Sequence, residues 1–545
     1  MVGLFSGAFR HFPFVTIIIP MAVRPRLIDA LAGFAATLAM GAWLFGSPAH
    51  PIVGRSTAPK SSVSAAAAQI DAAIESHWKP DIQPSPVADD LQIARRMALA
   101  LRGSIPALTE IRWLESRPQV TRLDEWTERL LGEQCFADYF AERFARALVH
   151  SKGSDFPMPF RRDCFLTWLT EQIAENRPYD QIVHDIMTAK GVWTNDPAAN
   201  FFTAHEADPI RLTTRTARTF LGLRLDCAQC HDHPFADWKQ RDFHGLAAFY
   251  GATKLARFST GIHDVEREYS FLPVGQESRE TIAPQVPFSP NLLSRDGHPR
   301  ERLANWVTHP ENPYFAKALV NRVWALLFGV GLIEPIDDLN AKSELAGALD
   351  VAAAEFKRSG YDLKHIIRVI AGTDAFRRQS AFHANYAEES EAVLAAFPST
   401  RLRPEQLARA MLQTLALQKN DYAESWYFRL AEWGLVDELG DKYEEEMEPR
   451  EGNLAQRLVM MNTRSLNLPL NNLWGGTAAE LNLLSKSPQQ CVESAFLICL
   501  TRRPNGQELR ICTDHLKNAS LPQRAVRLQD LFWVLNNGSE FCWQH

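Results

Sequence analysis

The sequence predicts a mainly α protein, a multi-helix chain of two packed helical domains with irregular connecting segments. Three observations carry this. Apolar residues recur at the helical spacing from about Ile70 onward, strand-like alternation is scarce, and the one long break in the helical period falls near the middle. At 545 residues the chain exceeds a single ordinary core and calls for more than one packing unit.

Residues 1–50 read as a signal peptide or membrane anchor. Ala30 to Gly46 is an uncharged apolar run of 17 residues, preceded by Arg24 and Arg26 and followed by Ser47, Pro48 and Ala49, which is the order of an export signal. Its length lies at the lower edge of a membrane span, so an uncleaved anchor stays open beside cleavage. Met21 is an alternative start that would give a compact basic region before the run. Residues 51–69, rich in Pro, Ser and Ala, read as linker.

A first helical domain is expected over 70–253. Phe165, Leu166, Leu169 and Ile173 share one helix face, and Ile182, Val183, Ile186 and Met187 share another. Pro178 falls between them and should start the second helix, because an interior proline costs about 3 kcal/mol. Residues 254–299 form a linker or insertion, where Gly, Pro and Ser thicken and Ile282 to Leu293 carries three prolines. A second helical domain follows over 300–545, with helical patterning at Leu303, Trp306 and Val307 and again from Phe315 to Phe328. The acidic stretch Asp437 to Glu451, with Glu444, Glu445, Glu446 and Glu448, reads as a solvated loop or helix face. Leu528 to Phe541 has the period of a closing helix.

Composition excludes several partners. Hydrophobic residues make up 46% and charged residues 22%, and the formal charge is -6 with no long basic run, so nucleic acid is not an expected partner. The eight cysteines are too sparse for a disulfide framework. In an oxidising compartment, pairs such as Cys491 with Cys499 are candidates for bridges.

The sharpest local feature is DCAQCHDHPFADW, Asp226 to Trp238. Cys227, Cys230 and His231 make the C-x-x-C-H pattern of c-type haem attachment. On one helical turn these positions share a face, so two thiols reach the two vinyl groups while the imidazole ligates iron. The expected cofactor is covalent haem c, with His231 as the axial iron ligand. Two other readings stay open: Cys227, Cys230, His231 and His233 together binding zinc or iron, or the thiols forming a disulfide or redox pair. Four ligands within seven residues close poorly into a tetrahedron, which disfavours zinc. Candidates for a sixth iron ligand are Met158, His184, Met187, His205 and His244; an open sixth position would point from electron transfer to ligand binding.

Asp337 and Asp338 follow Pro335 and suggest a cap or turn, and Arg322, inside the apolar helix with Asn321, is an expected partner for one of them across a domain seam. No G-x-S-x-G, H-E-x-x-H, P-loop or G-x-G-x-x-G context occurs, and the sequence names no reaction.

These residues resemble a known pair of domains: the second planctomycete cytochrome-like domain followed by its usual partner of unknown function. The first is carried by ARRMALALRGSIPALTEI, RPYDQIV and RTFLGLRLDCAQCHDHPFADWKQRDFHGLAAFY. The second is carried by RERLANWVTHPENPYFAKALVNRVWALLFGVGLIEPIDDL, FKRSGYDLKHIIRVI, FLICLTRRPNGQEL and DLFWVLNNGSEF. The resemblance implies an exported cytochrome-like protein of the periplasm or cell envelope, with Cys227, Cys230 and His231 on the haem motif and a redox partner protein. It supplies no enzyme activity. The commoner longer members carry an additional N-terminal cytochrome domain; here an apolar segment and linker stand in that place. The competing class is a non-haem metal-binding or scaffold protein that binds an envelope polymer or a protein partner.

Overall fold

The computed structural model describes residues 60–149, 162–234, 237–256, 260–380, 387–419, 426–440, 454–462 and 476–544. The apolar run 30–46, Met158 and the acidic stretch 444–448 lie outside the described residues.

Helices begin and end where side chains can satisfy their terminal backbone groups. The helices used below are labelled in chain order: α1 (Lys60–Glu75), α2 (Asp90–Arg102), α3 (Gln134–Val149), α4 (Arg162–Ala174), α5 (Tyr179–Thr188) and α6 (Pro209–Thr216). They continue as α7 (Gln240–Ala248), α8 (Pro299–Val307), α9 (Phe315–Phe328), α10 (Ala346–Arg358), α11 (Leu363–Ala371), α12 (Pro404–Gln413), α13 (Pro488–Leu500) and α14 (Leu521–Asn536). Asp89 caps α2 by accepting from the Leu91 amide at 2.8 Å, and Gly103 closes it in the left-handed region at φ 70°. Proline occupies the first turn of α6, α8, α12, α13 and α14, where its missing N–H costs nothing. Pro178 stands at the N-cap of α5, as the sequence requires. The mainly α class is what the chain adopts.

Residues 60–69, read as linker from composition, belong to α1, with Ala66, Ala67 and Ile70 buried. Alanine has the highest helix propensity of any residue, and a packed apolar face outweighs the flanking Ser content.

Strands are few and short. β1 (Gly191–Val192), β2 (Thr253–Leu255) and β3 (Gly261–Asp264) form an antiparallel sheet in the order β1-β3-β2. β4 (Ser270–Phe271) pairs with β5 (Glu280–Thr281), and β6 (Thr400–Arg401) pairs with β7 (Trp543–Gln544). The segment 254–299, where the helical period vanishes, is thus built partly of two- to four-residue strands.

The apolar packing divides along the chain near residue 400. One core runs from Ala66 to Phe397 and takes in α1 to α11, with Trp126, Trp306 and Trp324 fully buried in it. The other is built from Leu402 to Cys542 and borrows Leu99 from α2 and Ile105 from the connection that follows it. The described residues fall in one compact unit. Among the described residues no helix is long and apolar enough to cross a membrane.

The two cores are stitched by buried charge. Arg143 on α3 meets Glu405 on α12 at 3.0 Å, Arg403 meets the same carboxylate at 3.1 Å, and Arg403 donates to the Tyr139 hydroxyl at 2.6 Å. Burial alone would raise the Glu405 carboxyl. Arg143, Arg146 and Arg403 overcome that and hold it at about 2.

Cys491 and Cys499, the sequence candidates for a bridge, both lie on α13 as free, buried thiols. Eight residues of helix separate their Cα atoms by about 12 Å, beyond the roughly 7 Å a disulfide can span.

Candidate functional site at the Cys227–His231 turn

The motif begins where α6 gives way to a wider turn. Ala217–Leu221 continue α6 as a single π turn, and Gly222 then reverses the chain in the left-handed region at φ 59°. Gly222 also meets the second half of the chain. Its carbonyl accepts from the Leu339 amide at 2.8 Å, and a Cβ at this position would stand 2.7 Å from Leu339 Cγ.

Beyond Gly222 the burial alternates. Leu223, Leu225 and Ala228 are inserted into the first core, whereas Arg224, Cys227, Cys230 and His231 are exposed. Asp226–Gln229 is a 3₁₀ turn, and the amides of Cys230 and His231 both point to the Cys227 carbonyl at 3.4 Å. The turn thereby leaves both thiols and the imidazole facing solvent. Cys227 and Cys230 are free thiols.

The imidazole of His231 is oriented from its own loop. Its Nδ1 lies 2.7 Å from the Asp232 carbonyl, which can only accept, so Nδ1 carries a proton and in the neutral ring Nε2 is the nitrogen with the lone pair. A bond from the far ring nitrogen to a carbonyl is the usual arrangement of a metal-ligating histidine. The Asp232 carboxylate accepts from the Gln240 amide at 3.0 Å and pairs with Lys239 at 3.2 Å, fastening the loop to the start of α7. Those two contacts, the amide first, hold the Asp232 carboxyl below the usual carboxylate range. The His233 amide donates to the Trp238 carbonyl at 2.8 Å, closing the loop at its base.

Three further contacts brace the turn. Arg218 grips Asp226 at 2.6 Å and reaches Asp337 at 3.3 Å; Arg224 meets Asp337 at 2.6 Å. The expected seam between the two halves is therefore present, but Asp337 is met by Arg218 and Arg224. Arg322 donates to the Thr219 carbonyl at 2.9 Å, because it points along α9 toward the π turn. Asp338 closes a turn by accepting from the Asn340 amide at 3.3 Å, and Asn321 binds both backbone groups of Ile333. From α7, Gln240 donates to the carbonyls of Gln229 and Cys230, each at 3.3 Å.

A cleft of about 660 Å³ opens beside Cys230, within the 300–1,000 Å³ range of small-molecule sites. Its near wall is Gln229, Cys230, Gln240 and His244, and its far wall is the segment Arg267 to Arg279. Cys227 faces solvent just outside it. His244 joins the two walls: Nε2 donates to the Gln229 carbonyl at 3.0 Å, Nδ1 accepts from the Tyr269 hydroxyl at 2.9 Å, and the ring stacks on Phe271 with centroids 4.0 Å apart. Burial holds this imidazole below the ordinary histidine range, against the raising effect of the Gln229 carbonyl. Burial likewise pushes the Tyr269 hydroxyl up to about 12; the charge of Asp208 adds to that and the charge of Arg279 opposes it.

The sixth-ligand candidates separate clearly. Both nitrogens of His244 are engaged in hydrogen bonds. Met187 is wholly buried in the first core, and His205 is buried with Nε2 at 2.8 Å from the Leu148 carbonyl and its ring against Phe201. His184 is half-buried on α5. Among the described residues no group of three or more His, Cys, Asp or Glu is gathered to hold a metal ion, so Cys227, Cys230, His231 and His233 do not converge on one point. The far wall of the cleft and the brace from Arg218 to Asp337 carry no sequence motif. Only the aromatic pair Tyr269 and Phe271, alternating with Ser270, hints at a strand there.

Fold and site together define a mainly helical protein with an exposed C-x-x-C-H turn braced against the second half of the chain. Residues 69–254 match PSCyt2, a protein of unknown function (DUF1549), and residues 299–432 match PSD1, a protein of unknown function (DUF1553). The chain thus belongs to the proteins built from this pair of domains in this order. No curated protein and no solved structure matches it.

Proposed function

We propose that Cys227, Cys230 and His231 attach one haem c, and that the chain is an exported protein of the cell envelope that exchanges single electrons with a partner protein, held or delivered there by its N-terminal segment. One observation carries the reading. Two exposed, unbridged thiols and an imidazole whose Nδ1 is committed to the Asp232 carbonyl share a single turn, and Cys230 of that turn lines a cleft. The family name PSCyt2 agrees with it.

The residues have separate tasks. Cys227 and Cys230 would hold the group through thioether bonds, each a net addition of S–H to a vinyl C=C in which sulfur takes one carbon and hydrogen the other, with no oxidation. His231, its ring fixed by Asp232, would offer Nε2 to the iron. Ala228, buried beneath the turn, and the Arg218–Asp226 pair hold the thiols in place. When bound, haem supplies a one-electron iron couple whose potential its exposure and axial ligands would set.

The test is maturation. Protein exported from a host carrying the cytochrome c maturation machinery is expected to gain the mass of one haem and to show a haemochrome spectrum, and Cys227→Ser with Cys230→Ser should abolish both. A colourless protein of unaltered mass, beside a control cytochrome matured in the same cells, would overturn the proposal.

A further inference from the structure

The lining of the cleft combines two features that suit one ligand. Leu272 and Val274 are 52% and 66% exposed on it. Beside them stand Lys254, Arg267 and Arg279, and no carboxylate among the described residues pairs with any of the three. Arg279 is set in place by Ser270, with Nε at 3.1 Å from its hydroxyl and Nη2 at 2.6 Å from its carbonyl. Of the two carboxylates in the lining, Asp208 is spent on the start of α6, accepting from the amides of Ile210 and Arg211 at 2.9 and 3.0 Å. Gathered cations on a concave wall raise the local concentration of anions, and guanidinium groups match carboxylates in shape. Exposed apolar side chains in the same place favour an apolar partner.

We infer that this cleft seats a flat apolar ring system bearing carboxylates, with Arg267 and Arg279 holding the carboxylates and Leu272 and Val274 lying against the ring. Resting on the reading of Cys227, Cys230 and His231 above, the inference assigns Arg267 and Arg279 to the haem propionates. The same chemistry could come instead from a freely exchanging aromatic acid, and the experiment separates the two sources.

The probe is haemin, titrated into full-length Cys227→Ser/Cys230→Ser protein, which cannot form thioethers, and followed by Soret absorbance and tryptophan quenching. Adding Arg267→Ala and Arg279→Ala should weaken haemin at least tenfold, and the Lys substitutions at both positions should restore part of the loss. Haemin dimethyl ester, lacking free carboxylates, should bind both proteins alike. Arg112→Ala, which removes a surface cation elsewhere, should change nothing. All of these side chains are exposed, and matched melting curves would show that the fold is kept. Equal haemin affinity with and without Arg267 and Arg279 overturns the inference while leaving covalent attachment to its own test. Carboxylate-dependent haemin binding by a protein that never matures with covalent haem supports the cleft as an exchangeable site and removes the haem c reading alone.

Discussion

Two seams join the N-terminal helices to the rest of the chain with the same kinds of side chain in opposite surroundings. At one, Arg143, Arg403 and Glu405 are each at most 6% exposed and lock α3 to α12. At the other, Arg218 and Arg224 are 36% and 43% exposed where they meet Asp337 beside the motif turn. A buried charge cannot lose its partner without a large desolvation cost, whereas a half-exposed one turns to water. The first seam therefore fixes the architecture, and the second positions an exposed turn at little energetic stake.

The comparison can be broken at its strong end first. Glu405→Gln leaves Arg143 and Arg403 buried without their counter-charge and should destabilise the chain by about 3–5 kcal/mol, read as a lowered denaturant midpoint. The same carboxyl sets a pH limb. Its value of about 2 lies below the ordinary 4.5, so its contribution is full above pH 4.5 and is lost as pH falls toward 2. Stability measured across that window should fall less steeply in Glu405→Gln than in the native chain. Gly222→Ala comes next: a left-handed alanine costs about 1–2 kcal/mol, and its Cβ must push Leu339 aside, so a melt should show a loss of that order. Asp337→Asn should cost only about 0–1 kcal/mol, yet amide exchange across 223–230 should quicken, since Arg218 loses one of its two anchors. Cys227→Ser with Cys230→Ser, both exposed, should leave the melting of the haem-free protein within about 0.5 kcal/mol.

The helices and the site were not equally legible. Phe315–Phe328 and the start of α5 after Pro178 follow directly from apolar period and proline chemistry. Cys227, Cys230 and His231 announce themselves by spacing. What the sequence hides is whatever depends on distant partners. The cleft wall from Arg267 to Arg279 is carried by two-residue strands, too short for any period to register. Asp337 finds Arg218 and Arg224 more than a hundred positions away, where Arg322 was the nearer guess. Cys491 and Cys499 are candidates for a bridge by composition, and one helix carries both and keeps them apart.

The most direct measurement is the mass of one peptide. Trypsin cleaves after Arg224 and Lys239 and releases Leu225–Lys239, which holds both thiols and the imidazole. From protein matured with the cytochrome c machinery, that peptide is predicted to carry haem through two thioether bonds. Recovery of the peptide with both cysteines open to alkylation, alongside a properly loaded control cytochrome, would contradict the account.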